Sequence, residues 1–474
     1  MMSSLTEILV RTNLKRIWRI AIVGGVLLAA VFFGQRASLR WLLLLSVAGG
    51  GVALLFVPQL GLLAVIAATL VVRYEISTGT EVYLNLATLL IPALFGLFLF
   101  EAMRKRELKW AASAVNRPLT LFLIAGLLSL VIGNMTWDPA VPRSGNFWLV
   151  QLAQWAIFAF AAFAFWLVAN LRDCEVWLPR LTWFFLMLGG GLAILHVTPV
   201  AGQLLTPITT LTFIRAPFWL LLAALAAGQL LFNAELGRGQ QLYLAAVLIA
   251  VFVYAFVLME DRTSNWLGIA VVLGMLLWLR LRKLRRILMI LGGLLLIVGL
   301  VSGALYEFAG GDEKWDESGA SRLVLIERVV KVALRNPITG LGPASYRNYA
   351  GMEPLLYQRA LWFHPLINSH NNYVDLFAHT GIVGLALFLW FAWALFRLGR
   401  RLGDYYQSGF VGGYVNGMTA AWVGSLVIML LADWILPFVY NIGFPGFQAS
   451  LLVWLFLGGL VALEQAAKSG PMQV

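Results

Sequence analysis

The feature that most limits what this chain can become is its succession of unbroken apolar runs. Most are about 17 to 24 residues long and are closed by Arg/Lys clusters or by Gly and Pro. A helix needs about 20 such residues to cross roughly 30 Å of hydrocarbon, and it satisfies its own backbone hydrogen bonds on the way. Strands of a membrane barrel alternate apolar and polar residues, and these runs do not. Composition agrees: 61% of residues are hydrophobic and 12% charged, whereas a soluble domain carries about 25% charged residues. The expected fold is an all-α polytopic membrane protein.

Segmenting on the runs gives spans at 17–33, 41–57, 60–72, 84–103, 118–133, 147–170, 181–198, 216–234, 241–259, 266–279, 287–306, 372–396, 412–435 and 446–463. That is on the order of twelve to fourteen transmembrane helices. Three regions follow: membrane helices over 1–306, one large polar loop over 307–371, and a C-terminal membrane block over 372–474. A basic start (Arg11, Lys15, Arg16, Arg19) precedes an apolar run with no small-residue cleavage site after it, which reads as a retained first span. With the N-terminus on the cytoplasmic side, Arg104 to Arg106 with Lys109, Arg172 with Arg180, Arg238, the 280–286 cluster, and Arg397 with Arg400 and Arg401 all fall inside. The positive-inside rule asks for this arrangement; Arg36 and Arg40 are its exceptions. The 307–371 loop and the connections 134–146, 199–215, 260–265 and 436–445 then face outward. The formal charge of +12 is thus a matter of topology, and no nucleic-acid partner is expected. The single Cys174 cannot form an intramolecular disulfide and says nothing about compartment.

The polar loop holds two of the four histidines. Within it, Gly310 to Glu317 reads as a polar turn. Residues 321–335 have helical periodicity, with Arg328, Lys331 and Arg335 on one face and Glu327 four positions before Lys331. An amphipathic helix is expected there, ended by Asn336-Pro337. Gly340-Leu-Gly342-Pro343 follows, then an aromatic-rich, otherwise irregular segment with Tyr346, Tyr349, Tyr357, Trp362 and Phe363. A long irregular loop is uncommon unless it carries function.

Five basic residues invite a chemical reading. Arg322 opens the amphipathic helix, where the macrodipole disfavours a cation, and lines up with Ile326, Val329 and Ala333 rather than with the basic face. It fits either an anion-binding guanidinium turned toward the membrane domain or an interfacial arginine that snorkels or pairs with Asp316 or Glu317. His370 opens the following span between Ser369 and Asn371-Asn372. The positive dipole end there favours a neutral imidazole able to accept a proton; a capping or headgroup-anchoring histidine is the other reading. His364, ahead of Pro365, competes for the base role. Arg215 and Arg262 fall at the outer boundary, where topology does not call for arginine. Each could anchor the surface, and together with Arg322 they would form a cationic pocket suited to a diphosphate. No His-x-x-His, Glu-x-x-His or outer-loop Asp-x-Asp spacing occurs, so neither a metal nor another cofactor is expected.

Ser321-Arg322 at a helix start, Asn336-Pro337-Ile-Thr-Gly340-Leu-Gly342, and Ser369-His370-Asn371-Asn372-Tyr373 running into Gly381-Ile-Val-Gly384 resemble the O-antigen ligase and O-antigen polymerase superfamily of bacterial membrane glycosyltransferases. Arg215 and Arg262 are similar to that family's upstream arginines, although Glu260-Asp261 stand where the family usually has small polar residues. The resemblance implies a GT-C-like bundle in the bacterial cytoplasmic (inner) membrane with its site facing outward. It implies an inverting, metal-independent transfer of a glycan from undecaprenyl diphosphate to an acceptor hydroxyl on a lipid or a second glycan. His370 would then be the general base, Arg215, Arg262 and Arg322 would hold the diphosphate, and Asn371, Tyr373 and His364 would have secondary parts. Ligase and polymerase stay open as alternatives. A rival of another class, a transporter or flippase for lipid-linked glycans, would show internal repeats, broken helices and ionisable groups near mid-membrane. Asp375, His379 and Asp433 are the nearest candidates for such groups.

Overall fold

The computed structural model describes residues 57–77, 83–106, 110–205, 207–259, 263–301, 322–353, 355–357, 360–362 and 369–469. Two units are distinguished, 1–60 and 61–474, and nearly all described residues belong to the second. The expected span 17–33, span 41–57 except its last residue, the end of span 287–306 and the turn at 310–317 lie outside the described residues.

In chain order the elements are α1 (Gln59–Val71), β1 (Glu75–Ser77), β2 (Tyr83–Asn85), α2 (Leu86–Arg104), α3 (Asn116–Met135), α4 (Phe147–Ala169), α5 (Cys174–His196), α6 (Pro199–Leu205), α7 (Ala216–Phe232) and α8 (Arg238–Val253). They continue with α9 (Thr263–Arg280), α10 (Arg285–Val301), α11 (Arg322–Ala333), α12 (Tyr346–Gly351), β3 (Leu355–Tyr357), β4 (Ala360–Trp362), α13 (Asn372–Tyr405), α14 (Gly409–Ile428) and α15 (Gly443–Ser469). A π turn, Tyr254–Leu258, lengthens α8. The strands form two antiparallel hairpins, β1 with β2 and β3 with β4. Among the described residues eight helices are long and apolar enough to cross a membrane: α2, α3, α4, α5, α8 with its π turn, α13, α14 and α15. Shorter apolar helices are α1, α7 and α9. The protein is a polytopic all-α membrane protein.

Packing follows from which helices are apolar all round. The apolar window of α15 is buried throughout, and α15 packs on α4 and α7. α14 packs on α7 and α9. Between α7 and α14 the backbones nearly touch: a Cβ on Gly228 would meet the Gly413 carbonyl at 2.5 Å. Lipid supplies no hydrophobic drive for helix association, so this close van der Waals approach is what binds the pair.

Consecutive spans alternate in direction, which gives the bundle two ends. At one, the loop end, lie Arg215, the start of α13, and the connection 429–442. At the other, the basic end, lie Arg104, Arg172, Arg238, Arg280, Arg285, Arg400 and Arg401. Two boundaries differ from the apolar pattern. The run 412–435 is not one helix: α14 stops at Ile428, and 429–442 is irregular, ahead of Pro437. The run 372–396 is longer and broken, since α13 extends to Tyr405 and Gly381 sits at φ 67, ψ −173 inside it.

The amphipathic helix forms as expected, over Arg322–Ala333. The described part of the segment after it, 334–353, folds back onto the helix. Val329, Val332 and Ala333 join Tyr346, Tyr349, Val141 and Ala378 in one buried apolar cluster, with Trp137 packed against it. Polar ties fix the same contact: Tyr349 Oη accepts from Asp138 N–H at 3.1 Å, and Ser345 Oγ accepts from Gln151 Nε2 of α4 at 2.9 Å.

Candidate active site

The start of α13 is built to hold a strained turn. Asn371 caps the helix, its Oδ1 accepting from the N–H groups of Tyr373 at 3.0 Å and Val374 at 3.3 Å. Just before it, His370 has φ 54, a left-handed conformation that costs a residue with a Cβ on the order of 1–3 kcal/mol. The neighbours hold it there. Asp375 Oδ1 accepts from Ser369 N–H at 3.1 Å, and the Ser369 hydroxyl proton lies between Asp375 Oδ1 at 2.7 Å and the Asn371 carbonyl at 2.9 Å. Asn371 N–H in turn donates to Ser369 Oγ at 3.1 Å. Ser369 and Asp375 are buried, while His370 and Asn371 are half-buried.

The helix start is fastened to the irregular connection 429–442. Asn372 N–H donates to the Met429 carbonyl at 2.7 Å, and its side chain exchanges bonds with Leu436, Nδ2 to O at 2.9 Å and N–H to Oδ1 at 3.1 Å. Tyr373 Oη donates to the Leu426 carbonyl at 2.7 Å. Gln154 of α4 grips the connection from the other side, through the Pro437 carbonyl at 3.1 Å and Val439 N–H at 2.7 Å. Asp433 closes the turn inside, accepting from Phe438 N–H at 2.8 Å and Asn441 Nδ2 at 2.5 Å. These partners explain why 429–442 leaves the helix: its backbone groups bond to side chains far away in sequence.

Arginines meet the same connection. The Arg215 guanidinium, at the N-terminal end of α7, lies 5.6 Å from the Trp434 ring centroid. That of Arg347, just inside α12, lies 4.7 Å from the ring of Tyr440. Burial pushes the Asp433 carboxyl up to about 6, opposed by the bonds from Phe438 and Asn441 and by the Arg215 charge.

The break in α13 is filled by the motif that follows α11. Leu341 N–H donates to the Ala378 carbonyl at 2.9 Å, while Ile382 and Val383 N–H groups donate to the carbonyls of Pro337 at 2.9 Å and Ile338 at 3.3 Å. Helix groups freed by the break are thereby satisfied from another part of the chain. Two glycines permit it: Gly340 and Gly381 have φ of 79 and 67, and a Cβ on Gly340 would lie 2.5 Å from the Gly381 nitrogen. Ser129 of α3 ties the same place, donating to the His379 carbonyl at 2.6 Å.

The structure therefore gathers, through the connection 429–442, the ends of α7, α13 and α14, on which Arg215, His370, Asn371 and Tyr373 stand. Arg322 begins α11, and nothing is described of its side chain; Arg262 and His364 lie outside the described residues. Several participants escaped the sequence reading, Gln154 among them. The Ser369–Asp375 clamp and the Asn372 bridge needed only the short spacing around His370 to be suspected. Arg347 gave no such signal. Arg328, placed by periodicity on a basic face with Lys331 and Arg335, is buried: its Nη2 donates to the carbonyls of Ala350 and Glu353, both at 2.6 Å. Lys331 and Arg335 do stay outside, both paired with Glu353, at 3.2 and 2.9 Å.

A polytopic bundle with a polar, hydrogen-bonded site at one end, covered by a folded loop, is the class of protein these features define. Residues 245–389 match the O-antigen ligase family model, a stretch running from α8 to the middle of α13. That match supports the O-antigen ligase and polymerase superfamily over this stretch of the chain. The match takes in Arg262, Arg322, the 336–342 motif, His370 and the Gly381 break, and it leaves out Arg215 and the 429–442 connection. Curated proteins offer no match to the chain.

Proposed function

We propose that the protein is an inverting, metal-independent glycosyltransferase that moves a glycan from undecaprenyl diphosphate to an acceptor hydroxyl at the outer face of the bacterial cytoplasmic membrane. The observation that carries the reading is that the one connection 429–442 is met by Arg215, through Trp434, and by the start of α13 that bears His370, through Asn372. In the reaction the acceptor oxygen attacks the anomeric carbon opposite the diphosphate, the carbon–oxygen bond to the diphosphate breaks, and that electron pair leaves with the lipid carrier. His370 takes the acceptor's proton. Arg215, Arg262 and Arg322 hold the diphosphate and offset the charge it gains. The outward site follows from the positive-inside rule, because the arginine-rich connections all lie at the opposite end. We favour a ligase-like acceptor, a sugar on a lipid, over the second lipid-linked glycan that a polymerase would use.

One feature favours transport: α13 is broken, and Asp375 and Asp433 are buried near the break. The freed backbone groups are nevertheless bonded to Pro337 and Ile338 rather than left for a cargo. Purified protein with lipid-linked glycan, candidate acceptors and EDTA separates the readings. Product should form without a membrane gradient, and His370→Ala should lower its rate by about 100-fold or more. A divalent-metal requirement, or full activity in His370→Ala, defeats the assignment; carrier crossing a vesicle membrane unconsumed supports transport.

A further inference from the structure

The transfer reading leaves the basic end of the bundle unused, and that end contains a cavity of about 200 Å³. It lies where α7, α9 and α13 finish and α10 and α14 begin. Among the described residues its charged lining is Arg280, Arg285, Arg400 and Asp404. Guanidinium groups crowded around one small space favour an anion among them. The arginines are also held in place. Arg285 and Arg400 both lie on the ring of Trp278, at 4.7 and 4.8 Å from its centroid, and Arg280 lies 5.6 Å from that of Phe232. Arg285 Nε donates to the Trp278 carbonyl at 3.0 Å, while its Nη2 is shielded from solvent and has no hydrogen-bond partner among the described residues. A fixed, desolvated donor aimed at no protein acceptor points to a ligand.

What kind of anion is decided by place. The cavity sits at the ends of membrane spans, at headgroup level. α10 leaves it as a helix whose Ile287, Ile290, Leu294 and Ile297 are exposed at helical spacing, an apolar stripe for acyl chains. Basic pockets between transmembrane helices take anionic headgroups by this combination of charge and adjoining hydrocarbon. We propose that the cavity binds the phosphodiester headgroup of an anionic phospholipid, held by Arg280, Arg285 and Arg400. The bound lipid would tie α10 to α13, and so the helix that leads into the loop to the helix that carries His370.

Native mass spectrometry of the full chain, titrated with phosphatidylglycerol or phosphatidylcholine, tests this. Phosphatidylglycerol should bind at least tenfold more tightly, and a photoreactive phosphatidylglycerol should label residues between 278 and 285 and between 400 and 416. The double variant Arg285→Gln/Arg400→Gln should lose at least tenfold in affinity, while Arg180→Gln, an exposed basic-end arginine outside the cavity, should lose less than twofold. Equal binding of both lipids, labelling elsewhere, or equal losses in the two variants overturns the proposal, and the first two readings need no variant to fold. Inorganic phosphate that displaces the lipid at submillimolar concentration would make free phosphate the ligand and likewise overturn it.

Discussion

The two ends of the bundle use polar residues in opposite ways. At the loop end the polar side chains are buried and spent on geometry: Ser369 with Asp375, Asn372 with Leu436, Gln154 with Pro437 and Val439. At the basic end the charges lie on aromatic faces, Arg180 on Trp177 and Arg400 on Trp278, with Arg401 and Lys468 paired to Glu464. A fixed network specifies where a ring or guanidinium stands, at the cost of leaving expensive orphans when one member is lost. Surface cations cost little stability when single ones are lost, and their first effect is to set which side of the membrane they occupy. The loop end should therefore be fragile to small substitutions and the basic end tolerant of large ones.

The largest difference is expected at glycine. Gly381→Ala puts a Cβ against the Ile338 carbonyl at a backbone angle that L residues avoid, in the joint that closes the α13 break. It should cost about 3 kcal/mol or more. Gly274→Ala in α9 meets nothing within 4 Å and should be neutral or gain up to about 1 kcal/mol from helix propensity. Thermal unfolding in detergent compares them; similar midpoints would erase the contrast between the ends. Next comes arginine. Arg328→Gln removes two charged bonds from a buried site and should cost about 2–3 kcal/mol. Arg180→Gln, exposed at the basic end, should stay within about 0.5 kcal/mol.

How far the sequence reaches can be seen in these same residues. Spans were legible because membrane thickness dictates apolar length, and the start of α13 was legible because Asn371 and the polar residues around it interrupt that pattern. Arg215 stood out as an arginine where topology wanted none. Arg328 was misplaced because helical periodicity gives its neighbours on α11 but not the fold-over of 346–353 that covers it. The 429–442 connection was missed for a related reason. Leu430, Leu431, Ile435 and Leu436 continue the hydropathy of α14, and the cause of unwinding is Asn372 and Gln154, which are distant in sequence. The break in α13 likewise depends on Pro337 and Ile338 arriving from the loop.

A smaller effect should appear as pH dependence. Asp433 has its folded value raised to about 6 by burial, from 3.8. Below 3.8 both folded and unfolded chains hold the proton. Between the two values only the folded chain holds it, so stability contributed by this group falls as pH rises through that window and is flat above it. Asp433→Asn should remove this slope between about pH 4 and 6 while leaving the connection's turn in place. Unfolding midpoints across that range check it, and an unchanged slope would mean that another group at the loop end carries the titration.

The smallest effect belongs to Glu353, which sits at the loop end yet behaves as the basic end does. Hydrogen bonds from Arg335 and then Lys331 hold its carboxyl below the usual carboxylate range, while partial burial opposes them. A depressed folded value means the opposite sign from Asp433: the contribution is present above the unfolded value of 4.5 and is lost as pH falls through the folded one. Lys331 is largely exposed and Arg335 half so, so solvent screens the pairs and Glu353→Gln should cost less than about 1 kcal/mol at pH 7. Hydrogen exchange of α11 is the sensitive readout, since Arg328 still bonds the Glu353 carbonyl, a backbone group the substitution leaves untouched. Protection should drop by less than about tenfold. A loss matching that of Arg328→Gln would show that the surface pairs, and not the buried guanidinium, hold the loop against the bundle.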